Sequence, residues 1–104
     1  LDNKIQYLNT DLDLSCPRDL TALASYFESQ GMWIMHVTKS ERKWLASFET
    51  GNLKEPESNI KKMLKVIEFL PPELRSLWDR CWLREFNIGY DCGQEPSIKA
   101  FLPS

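Results

Sequence analysis

Two hydrophobic periods alternate along this chain, and their order is what most narrows the fold. Residues 5–14 put Leu8, Leu12 and Leu14 at one parity and Asn9, Asp11 and Asp13 at the other, the period-two pattern of a half-buried strand. Ser15 and Pro17 then supply a helix-start signal, Leu20, Leu23, Ala24 and Phe27 follow at helical spacing, and Gly31 supplies a stop. Residues 32–38 and 43–49 predict two strands. In the second, Trp44, Ala46 and Phe48 share one face and Lys43, Ser47 and Glu49 the other. The short polar segment Lys39–Arg42 between them makes a hairpin. From Pro56 to Leu70 the spacing of Ile60, Met63, Leu64 and Ile67 predicts a helix, with Glu57 four residues before Lys61 in the favourable ion-pair orientation. Pro71-Pro72 ends it and starts a short second helix whose inner side is Leu74, Leu77, Trp78 and Cys81. Residues 82–90 return to strand. Trp82, Arg84, Phe86, Ile88 and Tyr90 lie on one face, with Leu83, Glu85, Asn87 and Gly89 on the other, continuing to Asp91. Residues 96–102 predict a short helix ended by Pro103.

The order strand, helix, strand, strand, helix, strand is that of an α+β chain with the ferredoxin-like split βαβ (βαββαβ) arrangement: one antiparallel sheet, helices on one face. In that fold class the first and last strands of the motif are neighbours. A length of 104 residues with 42% apolar content fits one domain over residues 1–104. No apolar run approaches the ~20 residues of a membrane span, and no basic-then-apolar leader opens the chain. Cys16, Cys81 and Cys92 form no CxxC pair and are odd in number. Reduced thiols in a cytoplasmic protein are the simplest expectation, and one bridge plus a free thiol is the alternative.

A net charge of -2 argues against a dedicated nucleic-acid binder, but it conceals an uneven distribution. Residues 1–30 hold two basic and five acidic side chains, residues 39–65 seven and four, and residues 66–104 four and six. If the first and last strands pair, Asp11, Asp13, Glu85, Asn87 and Asp91 come together on the sheet face opposite the helices. Three readings compete for that face. It is the solvated side of a half-covered sheet, a docking surface for a basic protein, or an oxygen-ligand site for Mg²⁺ or Ca²⁺.

Arg84 falls on the apolar parity between Trp82 and Phe86. It is either a structural salt bridge with a snorkelling stem or a bidentate grip on an anion. His36, the one histidine, lies mid-strand with no cysteine at a spacing that suggests a dyad. No serine-nucleophile motif is present. Trp33, Trp44, Trp82 and Tyr90 invite comparison with base-stacking sheets, yet the basic-aromatic signature of RNA-recognition modules is missing. Lys61, Lys62 and Lys65 read as a solvated helix face.

The stretches Leu77-Trp78-Asp79-Arg80-Cys81-Trp82-Leu83-Arg84-Glu85-Phe86-Asn87-Ile88-Gly89-Tyr90 and Asp11-Leu12-Asp13-Leu14-Ser15-Cys16-Pro17-Arg18-Asp19-Leu20-Thr21 are similar to segments of a group of small uncharacterised bacterial, partly cyanobacterial, proteins. The resemblance covers roughly the two end thirds of the chain. It implies a bacterial, cytosolic α+β protein and carries over no activity. Members of that group continue through a further helix and strand, so the resemblance also implies a truncated or differently finished C-terminus.

Taken together, the residues predict a non-enzymatic protein-binding module, of inhibitor or immunity type, using the acidic sheet face and no cofactor. A metal-dependent enzyme or ligand-binding domain on Asp11, Asp13, Glu85 and Asp91 is one alternative. The other is a homodimer built through its sheet, for which exposed Trp33, Met35 or Leu83 would be the sign.

Overall fold

The alternation that opens the chain makes a long strand, β1 (Gln6–Cys16), and it becomes the middle of the sheet. The computed structural model describes residues 6–51, 55–91 and 97–102, with the backbone alone at residues 6, 91 and 97–101. After β1 come α1 (Thr21–Ser29), β2 (Trp33–Ser40), β3 (Lys43–Glu49), α2 (Pro56–Glu68), α3 (Pro72–Asp79), β4 (Leu83–Asp91) and β5 (Ser97–Phe101). The fold is α+β. Its strands form an antiparallel sheet in the order β2-β3-β1-β4-β5. Among the described residues no helix is long and apolar enough to cross a membrane.

One face of the sheet carries the core. Leu12, Leu14 and Cys16 alternate along β1 at 2% exposure or less, beside Ala46 and Phe48 of β3 and Phe86 of β4. The buried sides of the helices close over them with Leu23, Ala24 and Phe27 of α1, Met63 and Ile67 of α2, and Trp78 of α3. Phe27 is the hinge of this packing. Its ring meets Phe48 edge-on at 5.0 Å and Trp78 at 6.3 Å between centroids, an edge-to-face geometry that aromatic quadrupoles favour.

Local chemistry sets the helix limits. The strand runs on through Ser15 and Cys16, so the expected start at Ser15-Pro17 moves to Thr21. There the Asp19 carboxylate accepts a hydrogen bond from the Thr21 N–H at 2.7 Å. Hydrogen bonds from the Thr21 side chain and backbone hold the Asp19 carboxyl below its ordinary range. At the other end Gly31, at φ +91°, takes the left-handed conformation. The Gly31 N–H donates to the Glu28 carbonyl and the Met32 N–H to the Phe27 carbonyl. Those two bonds are a Schellman stop, with Met32 and Phe27 both buried beneath it. On α2, Glu57 and Lys61 do pair, at 3.0 Å.

Three sequence expectations are corrected. Residues 96–102 are not a short helix: Ser97–Phe101 form β5 along the edge of β4. A helix that short gains few internal bonds against its nucleation cost, whereas the β4 edge offers a ready ladder. Leu8 does not join Leu12 and Leu14 in the core but is 57% exposed, because the ladder shifts register between Tyr7 and Asn9 and an extra residue inverts the alternation. Trp82 precedes β4 and is exposed; its N–H donates to the Ser15 carbonyl at 2.7 Å.

Candidate functional site: carboxylates on the open sheet face

The second set of β1 residues points away from the core, and its neighbours are fixed by register. Asp11 stands between Glu49 of β3 and Asn87 of β4, and Asp13 between Ser47 of β3 and Glu85 of β4. Outward from these, Trp33 of β2 lies opposite Glu49 and His36 opposite Ser47. The structure therefore brings together four of the expected site residues, Asp11, Asp13, Glu85 and Asn87. Asp91 lies opposite Gln6 in the ladder, and its side chain lies outside the described residues.

Asp13 is the fixed member. Its Oδ1 accepts the Ser47 hydroxyl at 2.7 Å, and its Oδ2 accepts the Asn87 amide N–H at 3.0 Å. Three strands are thus tied through one carboxylate. Asp11 is the stressed member. Partial burial pushes its carboxyl up to about 6, with further contributions from the Glu49 charge, the Asp13 charge and a hydrogen bond with Glu49. Carboxylates directly opposite one another on neighbouring strands repel. The Asn9 amide donates to Asp11 Oδ1 at 3.2 Å. Gly89 leaves room for that amide, since a Cβ there would lie 2.5 Å from Asn9 Oδ1. Glu85 is 5% exposed.

Glu49 and Ser47 were not among the expected site residues. Their signal was present in the alternation Lys43, Ser47, Glu49. It acquires meaning only once β3 is known to be the second neighbour of β1. Asn59 was also missed. It sits on α2, four residues before Met63, and is 2% exposed. Its amide N–H donates to the Tyr7 hydroxyl and the Glu55 carbonyl, and its carbonyl oxygen accepts from Thr50. This network joins α2 to β1 beneath the sheet rather than on its open face.

The other candidates fall into place around this frame. Arg84 is 8% exposed, with its guanidinium 5.6 Å from the Trp78 ring centroid and 3.9 Å from Asp79 Oδ1. These two contacts link β4 to α3. His36 is exposed on β2 while Cys16 and Cys81 are buried in the core, so these residues form no dyad. Cys92 lies outside the described residues. Trp33 and Met35 are each 52% exposed. Among the described residues, no three His, Cys, Asp or Glu side chains converge as a metal ion requires. Of the donors named for a divalent cation, Asp91 has its side chain outside the described residues, and each oxygen of Asp13 accepts a hydrogen bond. The chain matches no protein-family model, no curated protein and no solved structure.

What the arrangement can do follows from electrostatics. The Asp11 carboxyl holds a proton near pH 6 because burial removes water from it and the Glu49 and Asp13 charges add repulsion. A lysine or arginine brought to the pair would replace that proton, relieve the repulsion and gain charge-assisted hydrogen bonds.

Proposed function

We propose that this protein is a binding module that docks a basic partner protein on the open face of its sheet, in the manner of an inhibitor or immunity protein. The observation that carries the reading is Asp11. Its carboxylate is kept partly buried and opposite Glu49, although burial first and the Glu49 charge second raise it to about 6. Carboxyls whose ionisation is disfavoured by burial and a neighbouring like charge recur at functional sites. The ferredoxin-like description belongs to the same proposal. The order β2-β3-β1-β4 with antiparallel neighbours is consistent with a split βαβ core extended by β5, and it leaves the carboxylate face uncovered by helices. A second reading, self-association through β2, draws support from Trp33 and Met35 on that edge strand.

Affinity capture from the cells that make the protein, followed by titration of the purified partner, tests the first reading. The expected partner is rich in lysine and arginine. Its affinity falls at least tenfold for the Asp11→Lys/Glu49→Lys chain, weakens with added salt, and weakens as pH drops through about 6. Equal affinity of the charge-reversed chain for that partner would overturn the proposal. A concentration-dependent dimer that survives the double substitution would favour the second reading.

A further inference from the structure

The last residue of β1 and the residue two before β4 are both cysteines, and both are in the core: Cys16 is 0% and Cys81 6% exposed. They are 65 positions apart in sequence, yet both thiols address one acceptor, the Leu77 carbonyl oxygen, at 4.0 Å from Cys16 Sγ and 3.6 Å from Cys81 Sγ. The backbones beside them are locked together, because the Trp82 N–H donates to the Ser15 carbonyl at 2.7 Å. Both sulfurs therefore lie within 4.0 Å of one oxygen, and burial, with the neighbouring Cys16 thiol adding to it, pushes the Cys81 thiol up. Neither cysteine takes part in the carboxylate face.

We infer that Cys16 and Cys81 are a paired oxidation site, at which a small-molecule disulfide of the glutathione class closes a Cys16–Cys81 bridge in the folded chain. The reaction is two successive exchanges. The thiolate of Cys81, the more exposed of the two, attacks the small disulfide. A mixed disulfide forms and one small thiol leaves. Cys16, as thiolate, then attacks the Cys81 sulfur and expels the second small thiol. The protein loses two protons and two electrons, and one small disulfide becomes two thiols. Because the thiolate is the nucleophile and burial disfavours it, oxidation is slow at neutral pH and accelerates as pH rises. The bridge staples the end of β1 to the α3–β4 junction across a loop holding α1, β2, β3, α2 and α3. Closing a loop of that length restricts the unfolded chain strongly.

The experiment uses the full chain carrying Cys92→Ser, which leaves only these two thiols. The reduced protein is exposed to oxidised glutathione at about pH 8.5 without denaturant, then unfolded and alkylated. The expected product takes up no alkylating agent, is lighter by two hydrogens, and yields a linked peptide containing Cys16 and Cys81. Its melting temperature is higher by on the order of 5 °C and returns to the reduced value with dithiothreitol. Adding Cys81→Ala, in a chain whose circular dichroism shows it folded, abolishes the linked peptide. Two alkylated thiols after prolonged oxidation, or a glutathione adduct that never resolves to a bridge, would overturn the inference. So would a bridge that forms only in unfolding concentrations of urea, because the pairing must belong to the folded chain.

Discussion

The two faces of the sheet are built from alternate residues of the same strands, yet they obey opposite rules. On the covered face Leu12, Leu14, Phe48 and Phe86 are within 3% of complete burial, and each adds to stability by leaving water. On the open face Asp11, Asp13, Glu49 and Glu85 occupy the neighbouring positions of the same ladders. There, one carboxylate is fixed by hydrogen bonds and another is held against its own electrostatics. A strand that needed only to support the core could carry threonine or serine at position 11. Folding thus accounts for the covered face and for Asp13 on the open one, while the raised carboxyl of Asp11 adds nothing to stability at neutral pH.

The largest expected effect tests the covered side. Phe48→Ala removes a fully buried ring that packs edge-on against Phe27 and should lower unfolding free energy by about 3–5 kcal/mol. Chemical denaturation at neutral pH reads it directly. A loss below about 1 kcal/mol would mean that the core can collapse around the vacancy, and the contrast between faces would weaken.

A smaller effect belongs to a polar network built into the covered layer. Asn59→Ala leaves the Tyr7 and Thr50 side chains without their amide partner and should cost about 1–3 kcal/mol, the penalty for stranding buried polar groups. Asn59→Leu separates the two contributions: it restores apolar volume but not the hydrogen bonds. If Asn59→Leu were as stable as the wild type, the network would contribute specificity and not stability.

How much of this could be read in advance differs residue by residue, for physical reasons. Leu12 and Leu14 declare the covered face because period two places them there without reference to any other strand. Leu8 misleads, since a bulge is a backbone event that polarity patterns do not encode. The same happens on β2. The register shift between Ile34 and His36 lets Ile34 and Val37, three apart, both pack on the core, against their sequence parity. Asp11, Asp13, Glu85 and Asn87 follow from alternation plus one assumed pairing. Glu49 and Ser47 need the second pairing as well. Arg84 could be recognised as an anomaly on an apolar face. Its partners Trp78 and Asp79 could not, because they come from α3 and depend on how that helix docks.

The smallest effect is the most discriminating, because its sign is opposite to that of most substitutions. The Asp11 carboxyl stands at about 6 in the folded protein against 3.8 for the ordinary side chain. Between those values Asp11 binds more protons in the folded chain than in the unfolded one, so its contribution to stability is greatest below about pH 4 and is lost as pH rises to about 6. A shift of that size corresponds to at most about 3 kcal/mol, and solvent screening of a carboxylate that is only partly buried reduces it to about 1–2 kcal/mol. Asp11→Asn removes the charge while keeping an oxygen able to accept from Asn9. It should therefore gain about 1–2 kcal/mol at pH 8, gain nothing at pH 4, and flatten the stability profile between. Paired denaturation curves at the two pH values make the measurement. If Asp11→Asn and the wild type were equally stable at pH 8, the open face would be an ordinary solvated surface and the case for a docking site would lose its main support.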